Sequence, residues 1–215
     1  GQLFGNRDRG SDAYVTNGMN FSYPGYSELV TGAPDDRIDS NDAVENPNVN
    51  VLEWLNSREG FRDRIAAFGA WDRFAYILNA KRSGLLVNDG YTPLRTMAPN
   101  ERIDLLNRVK AETGIWESEP FDAPVFLLAK EYFRAARPRV FYLALGETDE
   151  WAHGGRYDLY LNAANRVDTY IEELWNLAQS MEQYRGKTTL ILAVDHGRGA
   201  QGDSWKGHAQ KIPES

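Results

Sequence analysis

Two apolar runs joined by a long amphipathic stretch set the narrowest limits on how this chain can fold. "RVFYLALGE" (139–147) and "TTLILAVDH" (188–196) each read as a strand. Between them, "YDLYLNAANRVDTYIEELWNLAQSMEQY" (157–184) reads as one helix with Leu161, Val167, Ile171, Leu174 and Leu177 as core candidates. Strand, long helix, strand is the pattern of a right-handed βαβ crossover in a parallel sheet. Near-continuous apolar runs fit strands covered on both faces. The expected fold class is α/β, a mostly parallel sheet with helices on both faces, and functional residues are expected beyond the C-terminal ends of the strands.

The rest of the chain carries shorter elements and loops. "YPGYSELVTG" (23–32) predicts a short helix, with Ser22 as N-cap, a proline close behind and Gly32 as its end. Residues 33–48 are acidic and loop-like. A helix over 49–60 places Val51, Leu52 and Leu55 at helical spacing, and "RIAAFGAW" (64–71) predicts a strand. Helices are predicted over 73–84, 100–113 and 123–138, the middle one with Ile103, Leu106 and Val109 on one face. At 215 residues the chain is expected to be a single α/β domain over 1–215, with 35–138 a helical insertion on the substrate side.

Charge and composition exclude several function classes. Lys and Arg number 24 against 31 Asp and Glu, for a net charge of −7, so a basic nucleic-acid surface is not expected. An anionic substrate is still allowed, because a bound metal reverses the local sign. With no cysteine, disulfides, thiolate catalysis and Cys-ligated zinc are all ruled out. No apolar run is long enough to span a membrane. The start, "GQLFGNRDRG", has neither the charged nor the apolar region of a signal peptide.

Both apolar strands run straight into carboxylates and imidazoles. The chain has three histidines. His153 follows Asp149 at a spacing of four, His196 follows Asp195 directly, and His208 lies in the glycine-containing "GDSWKGHAQKIP". In a parallel sheet the two strand ends open at one edge, so pairs distant in sequence can converge. Three imidazoles and two carboxylates without a thiolate suit zinc or manganese, and five ligands are more natural for two metals than for one. Either Asp-His pair alone reads equally well as a surface pair or a cap. Ser22 alone reads as a helix cap.

"GETDEWAHGG", "AVDHGRG" and "KGHAQKIP" resemble the metal-binding motifs of the alkaline phosphatase superfamily, which includes sulfatases, nucleotide pyrophosphatases/phosphodiesterases and phosphoglycerate mutases. "NFSYPGYSELVTG" resembles that group's nucleophile segment, with Ser22, Pro24, Leu29, Thr31 and Gly32 in matching places. The resemblance covers about residues 12–34 and 139–213. It implies that Asp149, His153 and His208 hold one divalent metal and Asp195 and His196 another, zinc first and manganese as the alternative. Ser22 becomes the nucleophile at a helix start whose N–H groups and dipole favour an anion, and Arg198 is a candidate phosphate contact or a cap of the following turn.

The implied activity is hydrolysis of a small-molecule phosphate ester, with sulfatase or phosphotransferase chemistry as alternatives in the same superfamily. A non-catalytic fragment with one structural metal is the alternative of another class. Tyr26 stands where formylglycine sulfatases have arginine, which favours phosphate over sulfate. No strand ending in Asp-Gly precedes Ser22, and no strands follow the last histidine. The resemblance therefore implies a three-layer sandwich lacking N- and C-terminal strands, an internal fragment of a longer, exported enzyme.

Overall fold

Every residue of β1 (Ile65–Gly69) is buried, as an apolar run requires when a strand has neighbours on both sides. In the computed structural model, which describes residues 2–5, 9–11, 13–95, 99–209 and 211–212, β1 is the middle of a three-stranded parallel sheet ordered β2-β1-β3. β2 is Leu86–Asp89 and β3 is Val140–Ala144. The register pairs Ala66 with Leu86 and Ile65 with Val140. The protein is thus α/β with a parallel sheet. It divides into two compact units, Gly1–Asp42 with Leu192–Ser215, and Ala43–Ile191.

The larger unit holds the sheet. Its core gathers Phe68 and Ala66 of β1, Ile103 of α5 (Glu101–Glu112), and Val125, Leu128 and Ala129 of α6 (Asp122–Ala136). α5 starts where Asn100 accepts hydrogen bonds from the Arg102 and Ile103 N–H groups, as expected of an N-cap. Ile103 faces inward as predicted. Val109 does not; the buried position one residue on is Lys110, whose Nζ donates to Asn88 Oδ1 at 3.1 Å and to the Thr92 carbonyl at 2.6 Å. The helix expected over 49–60 shrinks to α2 (Val51–Asn56), capped by Asn50, and Val51 is exposed. The helix expected over 73–84 becomes α3 (Phe74–Ile77) and α4 (Ala80–Ser83), because Asn79 between them adopts a left-handed φ of 54°. β2 lies in a stretch that the sequence pattern did not mark, so 35–138 contributes β1 and β2 as well as helices.

α7 (Glu147–His153) follows β3 and was not expected; α8 (Tyr157–Ser180) was. Of α8's core candidates Leu161 is exposed, Val167, Ile171, Leu174 and Leu177 are half-buried, and only Ala163 and Ala178 are fully buried. The run 188–194 departs most from its reading: it joins no sheet, and Leu190, Ile191, Leu192 and Val194 are exposed. Among the described residues no helix is long and apolar enough to cross a membrane.

The smaller unit is organised around α1 (Ser22–Thr31), which ends at Gly32 with φ 78° and a Gly32 N–H donating to Glu28. A 3-10 turn, Gly202–Lys206, is held by reciprocal Gln201 and Ser204 bonds.

Candidate metal centre and nucleophile

Ser22 is the first residue of α1 rather than its cap. Phe21 occupies the cap position in extended backbone and makes no side-chain cap bond. The N–H of Tyr23 is accepted by Asn41 Oδ1 at 2.9 Å, and Pro24 has none. The expected cluster of helix N–H groups around a bound anion is therefore reduced here, leaving mainly the helix dipole. The serine hydroxyl instead lies 3.4 Å from His196 Nε2, long for a hydrogen bond but in reach of one.

What brings these two groups together is Gly25. A Cβ built on it would sit 2.1 Å from the carbonyl oxygen of Asp195, so only glycine lets the first turn of α1 lie against the Asp195-His196 backbone. The sequence contained this residue inside the nucleophile segment, but nothing local marked it as a contact point.

The histidine geometry carries chemical information. His196 Nδ1 is 2.9 Å from the Gly197 carbonyl, and His208 Nδ1 is 3.1 Å from the Asn20 carbonyl. A carbonyl only accepts, so each Nδ1 carries a proton, and a ring with no second proton presents its lone pair at Nε2. That is how metal-ligating histidines are held. His196 Nε2 faces Asp195 Oδ2 at 3.3 Å, with both side chains largely shielded from water. A lone pair against a carboxylate is repulsive unless a proton or a cation lies between them. Burial pushes the Asp195 carboxyl up from its ordinary value, against the opposing pull of His196; a cation would favour the ionised form. The His208 ring stacks on His196 at 3.9 Å between centroids, and donor nitrogens of the two lie within 4.8 Å of each other. A carboxylate oxygen and imidazole nitrogens beside a hydroxyl fit zinc or manganese. The resemblance groups His208 with Asp149 and His153; in this unit it neighbours His196.

Arg198 is half-buried and donates to the Trp205 carbonyl at 3.5 Å. Burial lowers its pKa to about 10, which still leaves a cation at neutral pH. Lys206 pairs with Asp203 at 2.8 Å on the surface.

Asp149 and His153 lie in the other unit, one helical turn apart on α7, with Asp149 Oδ2 3.2 Å from His153 Nε2. Glu147 is buried and structural. It accepts the Asp122 N–H at 2.9 Å and the Trp151 indole N–H at 3.0 Å, and pairs with Arg166. Asp122 Oδ1 in turn accepts the Gly146 N–H at 2.7 Å. Two helix starts thus cap each other across α6 and α7. Burial moves Asp122 up to about 7. Trp151 packs on Trp116 and Phe121. Beside it, burial and mutual repulsion raise the Glu119 carboxyl, and burial raises that of Glu150.

Comparison with protein-family models, with curated proteins and with solved structures finds no match for this chain.

Proposed function

We propose that this chain is the metal-dependent core of a phosphoric-ester hydrolase with Ser22 as nucleophile. The observation that carries the reading is the pairing of Asp195 Oδ2 and His196 Nε2, both desolvated, with the Ser22 hydroxyl beside them and each histidine Nδ1 tied to a carbonyl. Asp195, His196 and His208 would hold a divalent ion next to Ser22. Asp149 and His153 are proposed as a further ligand pair on their sequence motif alone. The reading carries the superfamily's three-layer sandwich with it, a larger sheet than β1–β3.

When bound, the metal supplies positive charge for the phosphate and lowers the serine pKa. The chain's own groups do the rest. Ser22 Oγ forms a bond to phosphorus while the ester P–O bond breaks, the serine proton passing to solvent and the leaving oxygen taking up a proton. Water then attacks the phosphoserine and releases Ser22. Arg198 offers a cation to the phosphate oxygens, and the N-terminal dipole of α1 favours the same charge.

Elemental analysis after dialysis, on the parent chain and on His196→Ala, His208→Ala and Asp149→Ala, tests the metal. Turnover of aryl phosphate mono- and diesters against aryl sulfate, with Ser22→Ala, tests the chemistry. Two ions, with loss on each substitution and phosphate turnover that needs Ser22, are expected. One ion, lost with His196 but not with Asp149 and without turnover, favours the second reading, a single structural metal. Its supporting observation is that Asp195, His196 and His208 gather within the smaller unit by themselves. No metal in the parent chain overturns both.

A further inference from the structure

The residue that keeps the His208 ring in place lies on the same helix as Ser22, and it acts through a loop. Glu28 of α1 takes up the donors of the preceding turn. Its carboxylate accepts the Thr16 N–H at 2.9 Å, the Thr16 hydroxyl at 2.6 Å, the Asn17 N–H at 3.1 Å and the Asn17 side-chain amide at 2.8 Å. With its NH2 held there, Asn17 turns its Oδ1 inward, where it accepts the Met19 N–H at 2.8 Å and the Asn20 N–H at 3.1 Å. Asn20 is thereby held at φ 54°, a left-handed conformation that asparagine tolerates and most residues do not. Its carbonyl is the acceptor for His208 Nδ1.

We propose that Glu28 is a positioning residue for His208: through Asn17 and Asn20 it fixes the ring's orientation and its Nδ1–H tautomer. Because Glu28 and Ser22 share α1, the device also ties the ring to the helix that carries the nucleophile. The role of His208 as a metal ligand rests on the function proposed above; the tautomer does not. Only a carboxylate does this work, since it meets donors alone. Glutamine would turn an NH2 toward N–H groups and break the turn without changing the size of the side chain.

The tautomer can be read directly. With three histidines in the chain, long-range proton–nitrogen correlation of the imidazoles at pH 8.5, on the metal-stripped chain, resolves each ring. His208 is expected in the Nδ1–H form in the parent protein, and as an averaged mixture in Glu28→Gln and in Asn17→Ala, with His196 unchanged in both. Asn17→Ala leaves α1 intact, so it answers the question should the glutamine variant lose its fold. An unshifted His208 in a folded variant of either kind overturns the proposal. Zinc titration of the same samples is the second arm: a loss of roughly tenfold in affinity is expected when the outer hydrogen-bond partner of a ligating histidine is removed. A parent chain that binds no zinc overturns the metal reading by itself and leaves the tautomer result standing.

Discussion

β3 and the run 188–194 are built from the same kinds of residue, and both precede a carboxylate and a histidine in sequence. Their settings differ. β3 pairs along its length with β1, and its aromatic side chains are half-buried against other rings: Phe141 lies 5.1 Å from Phe133 and 5.7 Å from Phe68, and Tyr142 lies 5.9 Å from Phe74. The later run pairs with nothing in the sheet, and Ile191 is 84% exposed. Apolar patterning states what a segment gains by burial, about 1.5–3 kcal/mol for each large aliphatic side chain. It does not say which strand supplies the hydrogen bonds. The start of the later run is nonetheless anchored near the foot of β3. The Tyr184 hydroxyl donates to the Pro138 carbonyl at 2.6 Å, its ring stacks on Phe133 at 4.8 Å, and the Thr188 hydroxyl donates to the Tyr184 carbonyl at 2.8 Å.

The largest effect is expected on the covered side. Phe141→Ala removes a ring that packs against Phe68 and Phe133, at an expected cost of about 3 kcal/mol in chemical denaturation of the full chain. A cost under 1 kcal/mol would mean that β3 is no better packed than the run it is compared with.

Next is the far end of the later run, which is tightly seated even though its body is exposed. Gly25→Ala forces a methyl against the Asp195 carbonyl, a backbone atom that cannot swing aside. A loss of about 2–3 kcal/mol is expected, together with weaker zinc binding. If the variant melts like the parent and binds zinc as well, α1 does not lie against Asp195.

Lys110 measures how dry the ladder side is. Burial lowers its pKa to about 8, below its value in the unfolded chain. Between those values the unfolded chain binds more protons than the folded one, so stability rises with pH. The rise expected from pH 8 to pH 10 is about 2 kcal/mol, and Lys110→Met should flatten it. A parent protein whose stability is level over that window would show that water reaches Lys110 Nζ.

How much was legible follows from what kind of signal each element leaves. β1, β3, α5, α6 and α8 announce themselves by local period, and the structure contains all of them. β2 is short and ends in Asn88-Asp89, so it has neither a period nor an apolar run. α7 hid behind its own motif: the spacing of Asp149 and His153 is a helical turn, but its start is set by Asp122, distant in sequence. Ser22, Asp195, His196 and His208 could be picked out as chemistry-bearing residues. Gly25, Asn20 and Glu28 could not, because each matters only through a backbone that approaches from elsewhere.

The smallest effect is the most decisive. Ile191→Asp places a charge where the structure shows an exposed side chain, and a surface substitution of that kind should change stability by less than about 0.5 kcal/mol. The same charge on a strand buried on both faces would cost several kcal/mol, since an unpaired carboxylate would be desolvated. Amide exchange gives the backbone counterpart: 188–194 should exchange fast and 140–144 slowly. A variant that loses more than 2 kcal/mol, with slow exchange across the run, would place Ile191 in the sheet in solution, against the edge of β3 that β1 does not occupy. The difference between the two segments would then vanish, and the βαβ pattern of the sequence would describe both.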